Sequence, residues 1–404
     1  MAPWLSIVGI GEDGISGFTP SARSLLSGAE IVFGGKRHLS LAAPLIRGAA
    51  RPWPSPFERG IAEVVALRGR RICVLASGDP LFYGVGAVLA RHIDAEEMVV
   101  MPSPSAFSLA AARLAWSLPE AALLSLHGRN LDLVRPHLQP HARILALTSG
   151  ADGPRALAQL LVQSGFPCSR LTVLEALGGP RERVRSTTAV EFELADVHEL
   201  NTVGIEVIAD ADARVIPRAP GLADDRFEHD GQITKREVRA MTISSLAPRR
   251  GELLWDIGAG AGSVAIEWML CDTSLSAIAI ERRADRAARI RRNATGLGVP
   301  GLQIVEGAAP AALAGLSPPS AVFIGGGASA PGLLDAALAA LKPAGRLVVN
   351  AVTLATENEL LARHAVMGGA LTRIAIARAQ ALGDEAGWRP AMPIMQWTWT
   401  KPAP

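Results

Sequence analysis

The stretch "LLWDIGAGAGSVAIEWM", residues 253–269, decides the fold of the second half of this chain. An apolar run ends at Asp256, small residues follow, and a second apolar run begins at helical spacing. That is the pattern of a buried strand, a tight turn and a helix. Gly258, Gly260 and Gly262 let the turn reach positive φ and let a ligand lie against bare backbone, with Ala259 between the first two. Glu281 ends the next strand, where an acid can accept both hydroxyls of a ribose. Two ligands compete for such a turn. A dinucleotide would set its pyrophosphate on the helix N-terminus, and Gly260-x-Gly262-x-x-Ala265 matches that fingerprint in its Gly/Ala form. Asp256 favours the other ligand. A carboxylate at the mouth of the turn repels a pyrophosphate and suits the ammonium and sulfonium of S-adenosylmethionine, which also offers a ribose to Glu281.

Outward from this stretch, short β-branched runs alternate with alanine-rich helical patterns along the whole chain, predicting an α/β protein. The 404 residues suit two domains. In the first half, strands are expected at "LSIVGIG", "IVFGG", "RICVLASGD", "EMVVMP", "ALLSLHG", "RILALT" and "NTVGIEVIA". The polar, proline-bearing stretch from Asp210 reads as a linker over 210–228, dividing a domain at 1–209 from one at 229–404. In the second half the pattern predicts five parallel strand–helix units. An antiparallel pair, "LTRIAIARAQ" and "PIMQWTWT", then closes the sheet, with no helix in "ALGDEAGWRPA" between them.

Hydrophobic content of 49% with 19% charged residues is globular. A net charge of +2 and 4% aromatics argue against a nucleic-acid partner. Cys73, Cys168 and Cys271 match no metal spacing and read as reduced, buried thiols; no metal site is expected. The N-terminus lacks the basic start and long apolar stretch of a signal peptide, and no apolar run reaches the length of about 18 residues that a membrane helix needs. A cytoplasmic protein with no membrane partner is the expectation.

The second half resembles the seven-stranded class I methyltransferases. More narrowly it resembles the C-terminal domain of the decarboxylating precorrin-6B methyltransferases of cobalamin biosynthesis. The resemblance rests on "GQITKREVRA", "LLWDIGAGAGSVAIEW", "AIERRADR", "VEGAAPAAL", "AVFIGGG" and "GRLVVNAVTLAT". It implies that Gly258, Gly260 and Gly262 cradle the methionine part of S-adenosyl-L-methionine and that Glu281 binds its ribose. It further implies that Ala308 lies by the adenine and that Thr234 closes over the donor. Thr234 equally reads as a helix N-cap, with Glu237 completing a capping box.

The first half carries Gly9-x-Gly11-x-x-Gly14 after its first strand, then "LASGDPLFYGVG" at 75–86 and "MPSPSAFSLAAARL" at 101–114. Gly78-Asp79-Pro80 makes a rigid turn. Ser103 and Ser105 precede a helix that they cap or from which they touch a ligand. This set resembles the tetrapyrrole methylase family, the class III methyltransferases, which have a two-lobed fold. "HGRN", "LTSG" and "EALGGPRERV" narrow it to the N-terminal domain of the same cobalamin enzymes. The resemblance implies a donor pocket bounded by Gly78, Asp79, Pro80, Ser105 and Ala106, with Gly9 and Gly11 facing a macrocycle. The first loop departs from the wider family in having Glu12-Asp13 where proline and glycine are frequent.

Together the halves resemble the fused enzymes that methylate meso carbons 5 and 15 of precorrin-6B and remove carbon dioxide from the ring C acetate, giving precorrin-8. The N-terminal half is assigned carbon 5, and the C-terminal half carbon 15 and the decarboxylation. Dimerisation of class III methylases implies a homo-oligomer. The polycarboxylate substrate calls for arginines that grip carboxylates bidentately. The candidates are Lys235, Arg236, Arg239 and Arg346, with Asn350 beside them by family position, and Arg113, Arg129, Arg181 and Arg183 in the first half. Any single one of these arginines reads more readily as a solvated charge. His127 and His229 are candidates for proton movement or packing. The competing functions are an RNA methyltransferase, disfavoured by charge, and a non-catalytic tetrapyrrole carrier, disfavoured by the set Asp256, Gly260 and Glu281.

Overall fold

A computed structural model describes residues 3–403. Its main internal break falls between Arg214 and Val215, giving two compact units.

The first unit holds two five-stranded sheets. Its strands are β1 (Leu5–Ile10), β2 (Ile31–Gly34), β3 (Ala49–Pro52), β4 (Ile72–Ser77), β5 (Met98–Met101), β6 (Ala121–Ser125), β7 (Arg143–Leu147), β8 (Arg170–Glu175), β9 (Arg183–Thr188) and β10 (Asn201–Glu206). The first sheet is wholly parallel in the order β3-β2-β4-β1-β5. Every residue of β1 is buried, as expected of a parallel strand covered on both faces. The second sheet, β6-β7-β10-β8-β9, is parallel only between β6 and β7. Three strands lie outside the runs read from the sequence. The edge strands β3 and β9 are short or polar and largely exposed, so no apolar alternation marks them. β8 does carry an apolar β-branched run, "LTVL", and its signal is present in the sequence.

The second unit adds β11 (Leu253–Ile257), β12 (Ser276–Glu281), β13 (Gln303–Glu306), β14 (Ala321–Ile324), β15 (Arg346–Ala351), β16 (Ala370–Ile374), β17 (Ala377–Leu382), β18 (Glu385–Pro390) and β19 (Ile394–Thr400). Seven of them form one sheet in the order β13-β12-β11-β14-β15-β19-β16. The first five strands run parallel and β19 runs antiparallel to both its neighbours. The expected parallel units and closing antiparallel pair are present. The single strand expected over "LTRIAIARAQ" is instead two. It breaks after Ile374, and β17 pairs with β18 as a separate hairpin turning at Gly383, φ +65°. All six residues of β17 are exposed, so no buried face ties it to the main sheet.

The stretch expected to be a linker is ordered in both of its parts. Asp210 and Arg214 donate backbone N–H groups to Gly165 and Ser164 in the first unit. Beyond them, Ile216, Leu222 and Phe227 enter the second unit's core with Leu246, Leu254 and Trp268. The polar residues hide this packing from any periodicity argument, because only isolated side chains turn inward. Cys73 is buried in β4, but Cys168 and Cys271 are exposed, against expectation. Among the described residues, no helix is long and apolar enough to cross a membrane.

Candidate functional site

In the second unit, β11 delivers Asp256 to the C-terminal end of the parallel strands, where open α/β sheets bind their ligands. The glycines after it bend the chain into the helix Ser263–Cys271, with Gly258 and Gly260 at φ +72° and +59°. A cavity of about 670 Å³ opens there. Asp256, Gly258, Ala259, Gly260, Glu281, Ala308, Thr234, Lys235 and Asn350 all line it. Gly262 does not. It is buried against Ile290, whose Cγ2 would stand 2.7 Å from an added Cβ, so it serves helix packing rather than the cavity.

Asp256 is 1% exposed. Its Oδ2 accepts the Ala265 N–H at 3.0 Å, while its Oδ1 is buried without a partner. Burial, with the Glu281 carboxylate adding to it, pushes Asp256 up to about 7. An unpaired buried carboxylate oxygen is costly unless a donor or cation meets it. By taking the Ala265 N–H, Asp256 also occupies one of the helix N-terminal donors that a pyrophosphate would use. Glu281 accepts the Gly260 N–H at 2.9 Å on one oxygen and the Arg283 N–H at 3.0 Å on the other. Each oxygen keeps a lone pair, enough for a vicinal diol. The cavity therefore suits a phosphate-free nucleoside bearing a cationic group.

The capping box read at Thr234 is absent: the helix Arg236–Leu246 begins after Lys235 with no side-chain cap, and Glu237 is bonded to Arg378. The backbone carbonyl of Thr234 accepts from Arg239, which pins the loop at the cavity edge. Asn350 is held from behind: its Nδ2 donates to Thr242 Oγ1 at 3.0 Å and its Oδ1 accepts from Gln396 at 2.9 Å. Lys235 stands 3.7 Å from Asp224 at the rim. Arg236 is exposed and lies outside the lining.

Two other carboxylate-gripping candidates are structural. Arg239 is fully buried, with Nε 2.6 Å from Glu267, a second contact to Asp224 at 3.2 Å and its guanidinium 4.7 Å from the Phe227 ring centre. Glu267 also accepts the Gly221 and Leu222 N–H groups, so this buried knot ties residues 221–224 to the helix Ser263–Cys271. Arg346 is 7% exposed and is spent on Glu252 and the Leu246 carbonyl. His229 sits in an exposed turn, accepting the Gly231 N–H. Sequence reasoning missed Ile374, Ile376, Met392 and Ile394, which wall the cavity from the β16–β19 region. No motif marks them.

In the first unit, the ends of β1, β4 and β5 converge. A Cβ on Gly9 would run into the Gly78 carbonyl oxygen and stand 2.7 Å from the Ser103 nitrogen. Ser103 Oγ donates to the Gly9 carbonyl at 2.8 Å, and its N–H donates to the Gly78 carbonyl at 3.1 Å. Gly9 is thus a point of close backbone approach that admits no side chain. A cavity of about 450 Å³ lies beside it, lined by Gly11, Gly78, Ser105, Ala106 and His127 among others. Asp79 and Pro80 are outside the lining; Asp79 accepts the Leu81 N–H at 2.9 Å and shapes the turn. Ser105 caps the helix Ala106–Leu114 by accepting the Ser108 N–H at 3.1 Å, and faces the cavity as well. Of the four arginine candidates, Arg113 is paired with Glu182 and Arg183 with Glu175. Arg129 lies 5.8 Å from the centre of the Tyr83 ring. Neither Arg129 nor Arg181 has an ion-pair partner among the described residues, and Arg181 lines a neighbouring cavity.

Residues 5–193 match the family of tetrapyrrole (corrin/porphyrin) methylases, and residues 225–401 match the precorrin methyltransferase domain family. A precorrin-6Y C(5,15)-methyltransferase [decarboxylating] of a Sinorhizobium species is 60% identical over 401 residues, 99% of this chain and 97% of that protein. A cobalt-precorrin-7 C(5)-methyltransferase of Salmonella typhimurium is 32% identical over 203 residues, 50% of this chain and 98% of that protein. A probable cobalt-precorrin-6B C(15)-methyltransferase (decarboxylating) of Saccharolobus solfataricus is 33% identical over 155 residues, 37% of this chain and 78% of that protein. Full-length identity at this level, over a chain with a glycine-lined cavity in each half of its sequence, makes the chain a member of the family of decarboxylating precorrin-6Y C(5,15)-methyltransferases.

Proposed function

We propose that the chain methylates carbons 5 and 15 of precorrin-6B and decarboxylates the ring C acetate, giving precorrin-8. The first unit acts at carbon 5, and the second at carbon 15 and on the acetate. Methyltransferases of this family use S-adenosyl-L-methionine as methyl donor. The division of labour is supported by the existence of the two activities in separate, shorter relatives. The observation that carries the second site is the buried, unpaired Asp256 Oδ1 beside Glu281 on a glycine-lined cavity.

In this reading Asp256 meets the donor ammonium, Glu281 takes the ribose diol, Ala308 packs by the adenine and Thr234 closes the edge. Gly258, Ala259 and Gly260 let the methionine part lie on the backbone. In the first unit Gly78, Ser105 and Ala106 bound the donor, with Asp79 and Pro80 holding the turn. The donor supplies an electrophilic methyl on a sulfonium. The protein's part is alignment, which is worth several kcal/mol without a strong base, since the reduced macrocycle is itself an enamine-like carbon nucleophile. Lys235 and Asn350 in the lining are proposed to orient the substrate for methylation at carbon 15 and loss of the carboxylate into the protonated π system, with Arg236 meeting a substrate carboxylate outside the cavity. A cytoplasmic homo-oligomer is proposed on the family resemblance.

Mass analysis of product from full-length variants tests this reading. Gly260→Val places a β-branched residue at φ +59° and is expected to abolish carbon-15 methylation and carbon dioxide release, leaving carbon-5 methylation. Gly78→Val is expected to abolish carbon-5 methylation alone. Carbon-5 methylation surviving in Gly78→Val, or decarboxylation surviving in Gly260→Val, refutes the assignment.

A further inference from the structure

The first unit holds another cavity, of about 900 Å³, lined by Arg37, Arg181, Arg183, Glu175 and Glu182 and closed by residues 196–200. It shares Arg37, Glu199 and Leu200 with the glycine-lined cavity beside it. The turn after β8 carries Arg181 on its wall, and the loop after β1, which carries Glu12, lines the neighbouring cavity. They are packed together, since a Cβ on Gly179 would stand 2.5 Å from the Cβ of Glu12. Glu182 locks the turn by accepting the Gly178 N–H at 2.7 Å.

The charges on this wall are unevenly matched. Glu175 is wholly buried and neutralises Arg183 at 2.7 Å and Arg185 at 3.0 Å. Glu182 takes Arg113. Arg37 is half-buried at the boundary of the two cavities, paired with Glu12 and within 3.3 Å of Ser77 Oγ at the end of β4. Arg181 is exposed and has no ion-pair partner among the described residues. It stands near enough to Arg37 that its charge, after burial, is the second cause holding Arg37 below the ordinary guanidinium range. The lining also carries the exposed carboxylates Asp196 and Glu199, which leave Arg37 and Arg181 without an ion pair to either, so two like charges share one wall of the cavity and an anion that reaches both relieves their mutual repulsion.

We propose that Arg181 and Arg37 together seat one side-chain carboxylate of the tetrapyrrole. They thereby decide which edge of the macrocycle is presented to the donor cavity of the first unit. The inference rests on the reading of that unit as the carbon-5 methylase. Guanidinium groups bind carboxylates through paired N–H donors, so such a seat orients as well as attracts. Arg37 is missed by sequence reasoning because its helix, Lys36–Ala42, carries no motif; only the tertiary structure sets it opposite Arg181.

The test is Arg181→Gln in the full chain, with both methylations and carbon dioxide release followed in one assay. Loss of a charged hydrogen-bonded contact predicts a KM for carbon-5 methylation raised roughly ten- to a hundredfold, with kcat within about threefold of wild type. Arg181→Lys should recover part of the loss. Affinity for S-adenosylhomocysteine, carbon-15 methylation and decarboxylation should be unchanged, which shows the chain to be folded. A KM for carbon-5 methylation equal to wild type overturns the proposal, as does a fall in kcat alone. If Gly78→Val abolishes carbon-5 methylation while Arg181→Gln leaves its KM intact, the carboxylate seat alone fails. If Gly78→Val leaves carbon-5 methylation intact, the reading of the first unit fails and the seat falls with it.

Discussion

Replacing Asp256 by asparagine separates its charge from its shape. The side chain is 1% exposed, one oxygen holds the Ala265 N–H and the other is unpaired. Burial first, and Glu281 second, raise it from 3.8 to about 7. A folded-state value above the unfolded one means the group favours folding at low pH, and that this contribution is lost as pH rises from about 4 through 7. A shift of about 3 units corresponds to about 4 kcal/mol as a ceiling, at about 1.4 kcal/mol per unit. An asparagine Oδ1 can keep the Ala265 N–H without the charge. Asp256→Asn is therefore expected to stabilise the ligand-free second unit by about 2–4 kcal/mol at pH 8 and by almost nothing at pH 4. Denaturant unfolding followed by tryptophan fluorescence reads this, since Trp255 is buried next to the site. Donor binding should move the other way. A charged hydrogen bond to the donor ammonium is worth about 1.5–3 kcal/mol, so the variant should bind S-adenosylhomocysteine roughly ten- to a hundredfold more weakly at this site. In the wild type, affinity there should rise roughly tenfold from pH 6 to 8 as Asp256 ionises, and the variant should lose that slope. Calorimetric titration at three pH values resolves this site from that of the first unit. Wild-type affinity in Asp256→Asn at pH 8, or destabilisation at every pH, would reduce Asp256 to a helix-capping group and refute the reasoning.

Glu281→Ala removes the acceptor of two backbone N–H groups and of the proposed diol; a fall of at least about tenfold in nucleoside affinity is expected by calorimetry. Arg239→Met strands the buried Glu267, so thermal unfolding should report a loss of about 3–5 kcal/mol in the second unit, while KM in surviving folded protein stays near wild type. A KM effect without destabilisation would return Arg239 to the substrate-binding candidates. His38 is held down to about 4 by burial and then by Arg37, so it is neutral when folded. Stability from that neutral form is present above about pH 6.5 and is lost as pH falls toward 4; acid unfolding of His38→Gln should lack that component.

The α/β class, the two halves and both glycine turns were legible in the sequence, because each rests on local physics. A buried parallel strand must be apolar throughout, as β1 and β11 largely are, and a turn with positive φ wants glycine, as at Gly258 and Gly260. Asp256 and Glu281 were legible for the same reason: they stand at the C-terminal ends of adjacent parallel strands, Asp256 one residue short of the end of β11 and Glu281 the last of β12. Local pattern did not separate one glycine or arginine from another. Gly262 and Gly9 carry the same letter as Gly260 but meet Ile290 and the Gly78 carbonyl instead of a cavity. Arg239 and Arg181 are both arginines near a motif, yet one is consumed by Glu267 and the other has no ion-pair partner among the described residues. A charge's role depends on which distant carboxylate reaches it. That partnership is a property of tertiary packing, over separations such as the 28 residues between Arg239 and Glu267, and no local periodicity encodes it.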